Sequence, residues 1–129
     1  MANGFHGSKA EWAKLIAPLE KLDPILERFA KTRRLAFTKN EKNAPNRRFE
    51  WGFPVKRIIE IYSDGTADNC WTLWVCAAQM RPDGYCWKKY TLKSKASIDE
   101  MEQSLQNLLD AAHALVTSWS EDDLEVVKR

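Results

Sequence analysis

Hydrophobic positions follow two different periods along the chain. From Ser8 onward, Trp12, Leu15, Ile16, Leu19 and Leu22 recur at helical spacing, with Glu11, Lys14, Glu20 and Lys21 off the stripe. Ser8 followed by Glu11 fits a capping box, in which each side chain satisfies a backbone N–H at the helix start. Pro18 falls inside the run, where it removes a hydrogen bond and clashes with the preceding turn, so a kink is expected. Asp23-Pro24 reads as a new start, an N-cap followed by Pro at the first helical position. Ile25, Leu26, Phe29 and Ala30 continue the apolar face. The first 32 residues therefore read as a bent or broken helix.

The middle of the chain changes to a period of two. Residues 35–38 form a short strand candidate, and the polar run 39–48 (KNEKNAPNRR) an exposed connection. Residues 49–53 alternate large apolar side chains with Glu50 and Gly52 and stop at Pro54, as an edge strand does. Residues 56–62 (KRIIEIY) are β-branched and end in Ser63-Asp64-Gly65-Thr66, a hairpin signal. Strands over 69–80 and 85–93 follow, joined by Arg81-Pro82-Asp83-Gly84. A three-residue closure, with Gly84 supplying positive φ, sets Met80 opposite Cys86 and Trp74 opposite Leu92. Trp71, Leu73 and Val75 then share a face with Trp87, Lys89 and Lys93, forming a partly exposed apolar patch. A two-residue closure pairs the faces the other way.

The last third returns to helical spacing. Ile98, Met101, Leu105, Leu108, Ala112, Leu115 and Trp119 alternate steps of three and four, widened by Leu109 and Val116, behind a Ser97–Glu100 capping box. A stripe this broad suits packing on a sheet better than a coiled coil. The tail from Ser120 reads as one more turn burying Leu124 and Val127. The expected fold is α+β. An antiparallel meander of four to five strands is flanked in sequence by the bent or broken N-terminal helix and the long C-terminal helix, both packed on one sheet face. Residues 1–129 make a single domain.

Composition adds little until charge is divided along the chain. Hydrophobic residues at 44% and charged ones at 29% suit a globular protein, and the net charge is only +2. Yet residues 31–57 hold nine Lys and Arg against Glu41 and Glu50, while residues 97–129 hold eight acids against Lys128 and Arg129. Such a split marks an anion-binding face or two surfaces that attract one another. Cys70, Cys76 and Cys86 lack metal-site or disulfide spacing and read as reduced apolar side chains. The first residues lack the features of a signal peptide, and no apolar run approaches the roughly 18 residues of a membrane span. A cytoplasmic protein without membrane contact is expected.

Little in the chain points to catalysis. His6 and His113 are the two imidazoles, and no GxSxG, HExxH, P-loop or GxGxxG pattern occurs. Asp64 and Asp68 suit turn formation, and Asp122-Asp123 suit a solvated tail. A non-enzyme without cofactor or metal is the expectation. What rises above background is a mixture of aromatic and basic residues on strands: Arg47, Arg48, Trp51, Trp71, Trp87, Lys89 and Lys93. Trp, Tyr and Arg are the usual anchors of protein interfaces. Aromatic rings beside Lys and Arg also bind single-stranded nucleic acid by stacking and phosphate pairing. The first reading is a non-catalytic intracellular binding module. It acts through this face and the basic segment 31–57 on a protein partner or as a homodimer, a small inhibitor or immunity-type protein being one form. The alternative is a single-stranded nucleic-acid binder.

Overall fold

The computed structural model describes residues 8–41, 44–63, 71–82 and 84–127. Helix α1 spans Lys9–Arg33 and opens on the expected capping box. Glu11 N–H donates to Ser8 Oγ at 3.2 Å, and Ser8 N–H donates to Glu11 Oε1 at 3.0 Å. Pro18 and Pro24 both lie inside α1, which does not break at either. Asp23 is therefore no N-cap. It is buried and salt-bridged to Arg47, Arg47 Nε donating to Asp23 Oδ1 at 2.7 Å. Each proline forfeits one backbone hydrogen bond, but Leu19, Leu22, Leu26, Phe29 and Ala30 are buried along the same face. At about 1.5–3 kcal/mol for each large apolar side chain, that burial outweighs the two losses. Arg34 ends the helix in the left-handed region at φ 57°.

Among the described residues, six antiparallel strands form one sheet in sequence order, where four to five were expected. They are β1 (Ala36–Lys39), β2 (Asn46–Trp51), β3 (Lys56–Ser63), β4 (Trp71–Arg81), β5 (Gly84–Ala96) and β6 (Glu125–Val127). The tail supplies the sixth. Ser120 opens a single 3-10 turn over Glu121–Asp123, Leu124 is buried, and the chain then pairs with β5 instead of continuing as helix. Residues 64–70, including Asp64, Asp68 and Cys70, and also His6 and Asp83, lie outside the described residues.

The β4–β5 hairpin corrects the expected register. Arg81 pairs with Gly84, Met80 with Tyr85 and Gln79 with Cys86, so the connection has two residues, not three. Gly84 stands at φ 144°, far from the left-handed helical value a three-residue closure needs at its last position. Trp74, Cys76, Ala78 and Met80 therefore share a face with Tyr85, Trp87, Lys89 and Thr91. Farther from the turn the register shifts twice, from Trp74–Thr91 to Leu73–Lys93 and then Trp71–Ala96, as β5 inserts extra residues.

The opposite face of β3 and β4 forms the core. Ile59, Ile61, Trp71, Leu73, Val75 and Ala77 join the buried residues of α1 in one cluster with those of α2 (Ile98–Thr117). In α2 the deepest line is Met101, Leu105, Leu109, Ala112 and Val116, with Leu108 and Leu115 only partly buried. The stripe is thus centred on the residues that had seemed to widen it. Arg57 closes the end of α2, its Nη2 donating to Trp119 O at 3.2 Å and its Nε to Val116 O at 3.4 Å. A cation there complements the negative end of the helix dipole. No helix among the described residues is long and apolar enough to cross a membrane.

Candidate functional site

The expected site residues separate when the register is known. Trp71 is 1% exposed and belongs to the core, so it is no part of an open patch; Leu73 and Val75 are fully buried beside it. Arg47 is likewise 1% exposed, its guanidinium spent on Asp23, Asn40 and the Asn46 carbonyl. Trp51 lies on the helix side, stacked on His113 with ring centroids 4.9 Å apart. Lys93 pairs with Glu100 of α2 at 3.4 Å. Arg48, Trp87 and Lys89 remain together on the other face.

That face carries its own small apolar strip. Ile58, Cys76 and Ala78 are buried there beneath partly buried Trp74 and Tyr85. Met80 at 71% and Trp87 at 39% stand at the turn end of the hairpin as exposed large side chains. The sequence had assigned Met80 and Trp74 to the face opposite Trp87. Only the length of the turn decides this, and Arg-Pro-Asp-Gly is compatible with either closure.

Charges on this face cancel. Arg48 Nη1 lies 3.5 Å from Glu41 Oε2 and its Nε 3.2 Å from Glu50 Oε2, while Lys56 reaches Glu50 at 3.2 Å. The Arg48 Nε–Glu50 contact is off axis, leaving that N–H without a hydrogen-bond partner among the described residues. Elsewhere Arg33 pairs with Asp110 at 3.0 Å and Lys39 with Glu27 at 3.5 Å. Much of the basic segment is therefore answered by acids of the same fold.

Glu60 is the exception. Its side chain lines a depression of about 280 Å3 together with Tyr62, Trp74 and Lys89. It is 9% exposed, and burial pushes its carboxyl above the usual range, a rise that Arg48 only partly opposes. Nothing in KRIIEIY distinguishes Glu60 from an ordinary solvated strand residue. Its partners come from β2, β4 and β5, and spacing within one strand cannot reveal them.

His113 is held differently. Burial first, then the Arg33 guanidinium, lowers its pKa below 6.5, and Asp110 opposes the shift. Arg33 Nη1 stands 3.4 Å from His113 Nδ1, so the neutral ring with Nδ1 accepting is favoured. The unfolded chain then binds more protons than the folded one just below pH 6.5. The His113 contribution to stability should be full above that value and decline as pH falls toward the folded pKa, while Glu60, with its raised carboxyl pKa, acts in the opposite sense. Denaturation midpoints across this range should therefore fall more, or rise less, in the wild type than in His113→Gln.

Among the described residues, no group of three His, Cys, Asp or Glu side chains could hold a metal ion. Cys76 and Cys86 are buried free thiols, and burial raises the Cys76 pKa, away from the reactive thiolate. The site is thus an open, aromatic, charge-balanced sheet face with one under-compensated carboxyl. No protein-family model, curated protein or solved structure matches the chain.

Proposed function

We propose that the protein is a non-catalytic binding module that docks a protein surface on its open sheet face, the surface being a partner's or that of a second copy. The observation that carries this reading is the arrangement of Trp74, Met80, Tyr85 and Trp87 around the Ile58–Cys76–Ala78 strip, with paired charges toward β2. An apolar, aromatic centre beside a polar margin is how protein interfaces concentrate their binding energy. The basic segment contributes Arg48 and Lys56 to the margin; Arg47 serves the fold.

The balance of charge is what favours protein over nucleic acid. Arg48 and Lys56 are paired with Glu41 and Glu50, and a phosphate chain laid here would meet those two carboxylates and Glu60. Nucleic-acid affinity comes mainly from uncompensated cations and falls steeply with salt.

Light scattering from micromolar to millimolar concentration reads the homodimeric form directly, and oligonucleotide titration at low salt reads the alternative. Self-association lost in Tyr85→Ala/Trp87→Ala while the variant stays folded at the temperature of the measurement supports docking on this face. Salt-sensitive oligonucleotide binding lost in the same variant would overturn it.

A further inference from the structure

The depression beside Trp74 has a chemistry that the rest of the open face lacks. Asn46, Glu60, Tyr62 and Trp74 reach it from three neighbouring strands, and Ala44 and Pro45 close its side before β2. Glu60 Oε2 accepts from Asn46 Nδ2 at 3.4 Å, a long contact, and the Trp74 side chain beside it holds the carboxyl's pKa down in part. Glu41 and Glu50 each have a cation within 4.0 Å, but among the described residues Glu60 has none. A cation does stand at the mouth: exposed Lys89 places Nζ 4.4 Å from the centre of the Trp74 ring.

We propose that this depression is a socket for a basic side chain of the partner protein, arginine above all, with Glu60 as counter-ion, Trp74 as platform and Lys89 as occupant of the ring in the free protein. The proposal rests on reading the open face as a protein-docking surface. A guanidinium can stack flat on an indole while its edge forks onto a carboxylate, which a lysine ammonium cannot do. A space of about 280 Å3 falls just under the range of about 300–1,000 Å3 typical of drug-sized ligands and suits one side chain. The raised pKa of Glu60 fits the same picture, because a buried carboxyl awaiting its cation is reluctant to ionise.

Lys89 gives the proposal an unusual sign. If it only occupies the ring, removing it should strengthen arginine binding about two- to fivefold, the factor corresponding to an exposed cation–π contact. Were Lys89 itself a ligand contact, removal would weaken binding.

The test is an NMR titration of the folded chain with N-acetyl-arginine-N-methylamide, read at the Trp74 indole N–H and the Glu60 carboxyl carbon. The Trp74 shift should saturate, and the Glu60 pKa should fall as the guanidinium arrives. Arg48 and Glu41 from the β2 side and Lys89 from β5 also act on this carboxyl, so Glu60 must be followed by its own resonance. The norleucine analogue should give no response, and Glu60→Gln should abolish it. Glu60→Gln keeps an acceptor for Asn46 and removes a desolvated charge, so it should melt no lower than the wild type at neutral pH. An equal response to norleucine, weaker binding in Lys89→Ala, or a stronger response to adenosine monophosphate would overturn the socket. Failure of the arginine titration with docking still mapped to this face removes the socket alone. A sound titration with no protein docking here removes the docking reading and leaves a cation site.

Discussion

Replacing Asp23 with alanine should lower the unfolding free energy by about 3–5 kcal/mol, the largest polar effect expected in the chain. Its carboxylate receives Arg47 Nε at 2.7 Å and Nη2 at 3.1 Å, a forked pair whose side chains are 10% and 2% exposed. Arg47 Nη1 also donates to Asn40 Oδ1 at 2.9 Å and Asn46 O at 3.0 Å, so the guanidinium is fixed in place. Losing the acid strands a buried cation that cannot turn toward water. Lys39, 3.5 Å from Asp23 Oδ2 and substantially exposed, offers no replacement. Exchanging both partners, as Asp23→Leu with Arg47→Met, should recover most of the loss, because the apolar pair leaves no orphaned charge. Urea denaturation of the single and double variants measures this. A loss below about 1 kcal/mol for Asp23→Ala, the size of a surface pair, would mean that the two side chains do not meet in a dry site.

The second large effect separates two tryptophans of one hairpin. Trp71→Ala should cost about 3–5 kcal/mol, since it empties an indole-sized volume among the core side chains of β3, β4 and α2. Its indole N–H has no hydrogen-bond partner among the described residues, so Trp71→Phe should be much milder than the alanine change. Trp87→Ala, at 39% exposure on the open face, should cost about 1 kcal/mol or less. Thermal melts of the three variants decide between the two hairpin registers. A three-residue closure would set Trp71 and Trp87 on one face, so comparable costs for the two alanine variants would contradict the register.

What the sequence made legible is whatever local pattern determines. Both helix starts, the α2 stripe and most strand positions follow from periodicity and capping, and the structure agrees with them. The rest depends on partners distant in sequence. Asp23-Pro24 has the local form of a helix start, and only Arg47, 24 positions later, gives Asp23 its buried role. The tail strand has three residues, too few for a period, and exists because the β5 edge is there to pair with it. At the site, Arg48, Trp87 and Lys89 were visible as strand residues of the right kind. Their neighbours were not, because a change of one residue in the turn moves every side chain of β5 to the other face. Glu60 left no trace, since its burial and its neighbours are set by strands distant in sequence.

Contact between the open face of the sheet and another protein can be read by placing a photo-crosslinking phenylalanine analogue at Trp87 and, separately, at exposed Gln103 on α2. The two positions report on opposite sides of the same fold. Docking on the open face should give a discrete, nuclease-resistant protein adduct from position 87 and none from position 103. Adducts from position 103 alone, or nuclease-sensitive adducts from position 87, would contradict it.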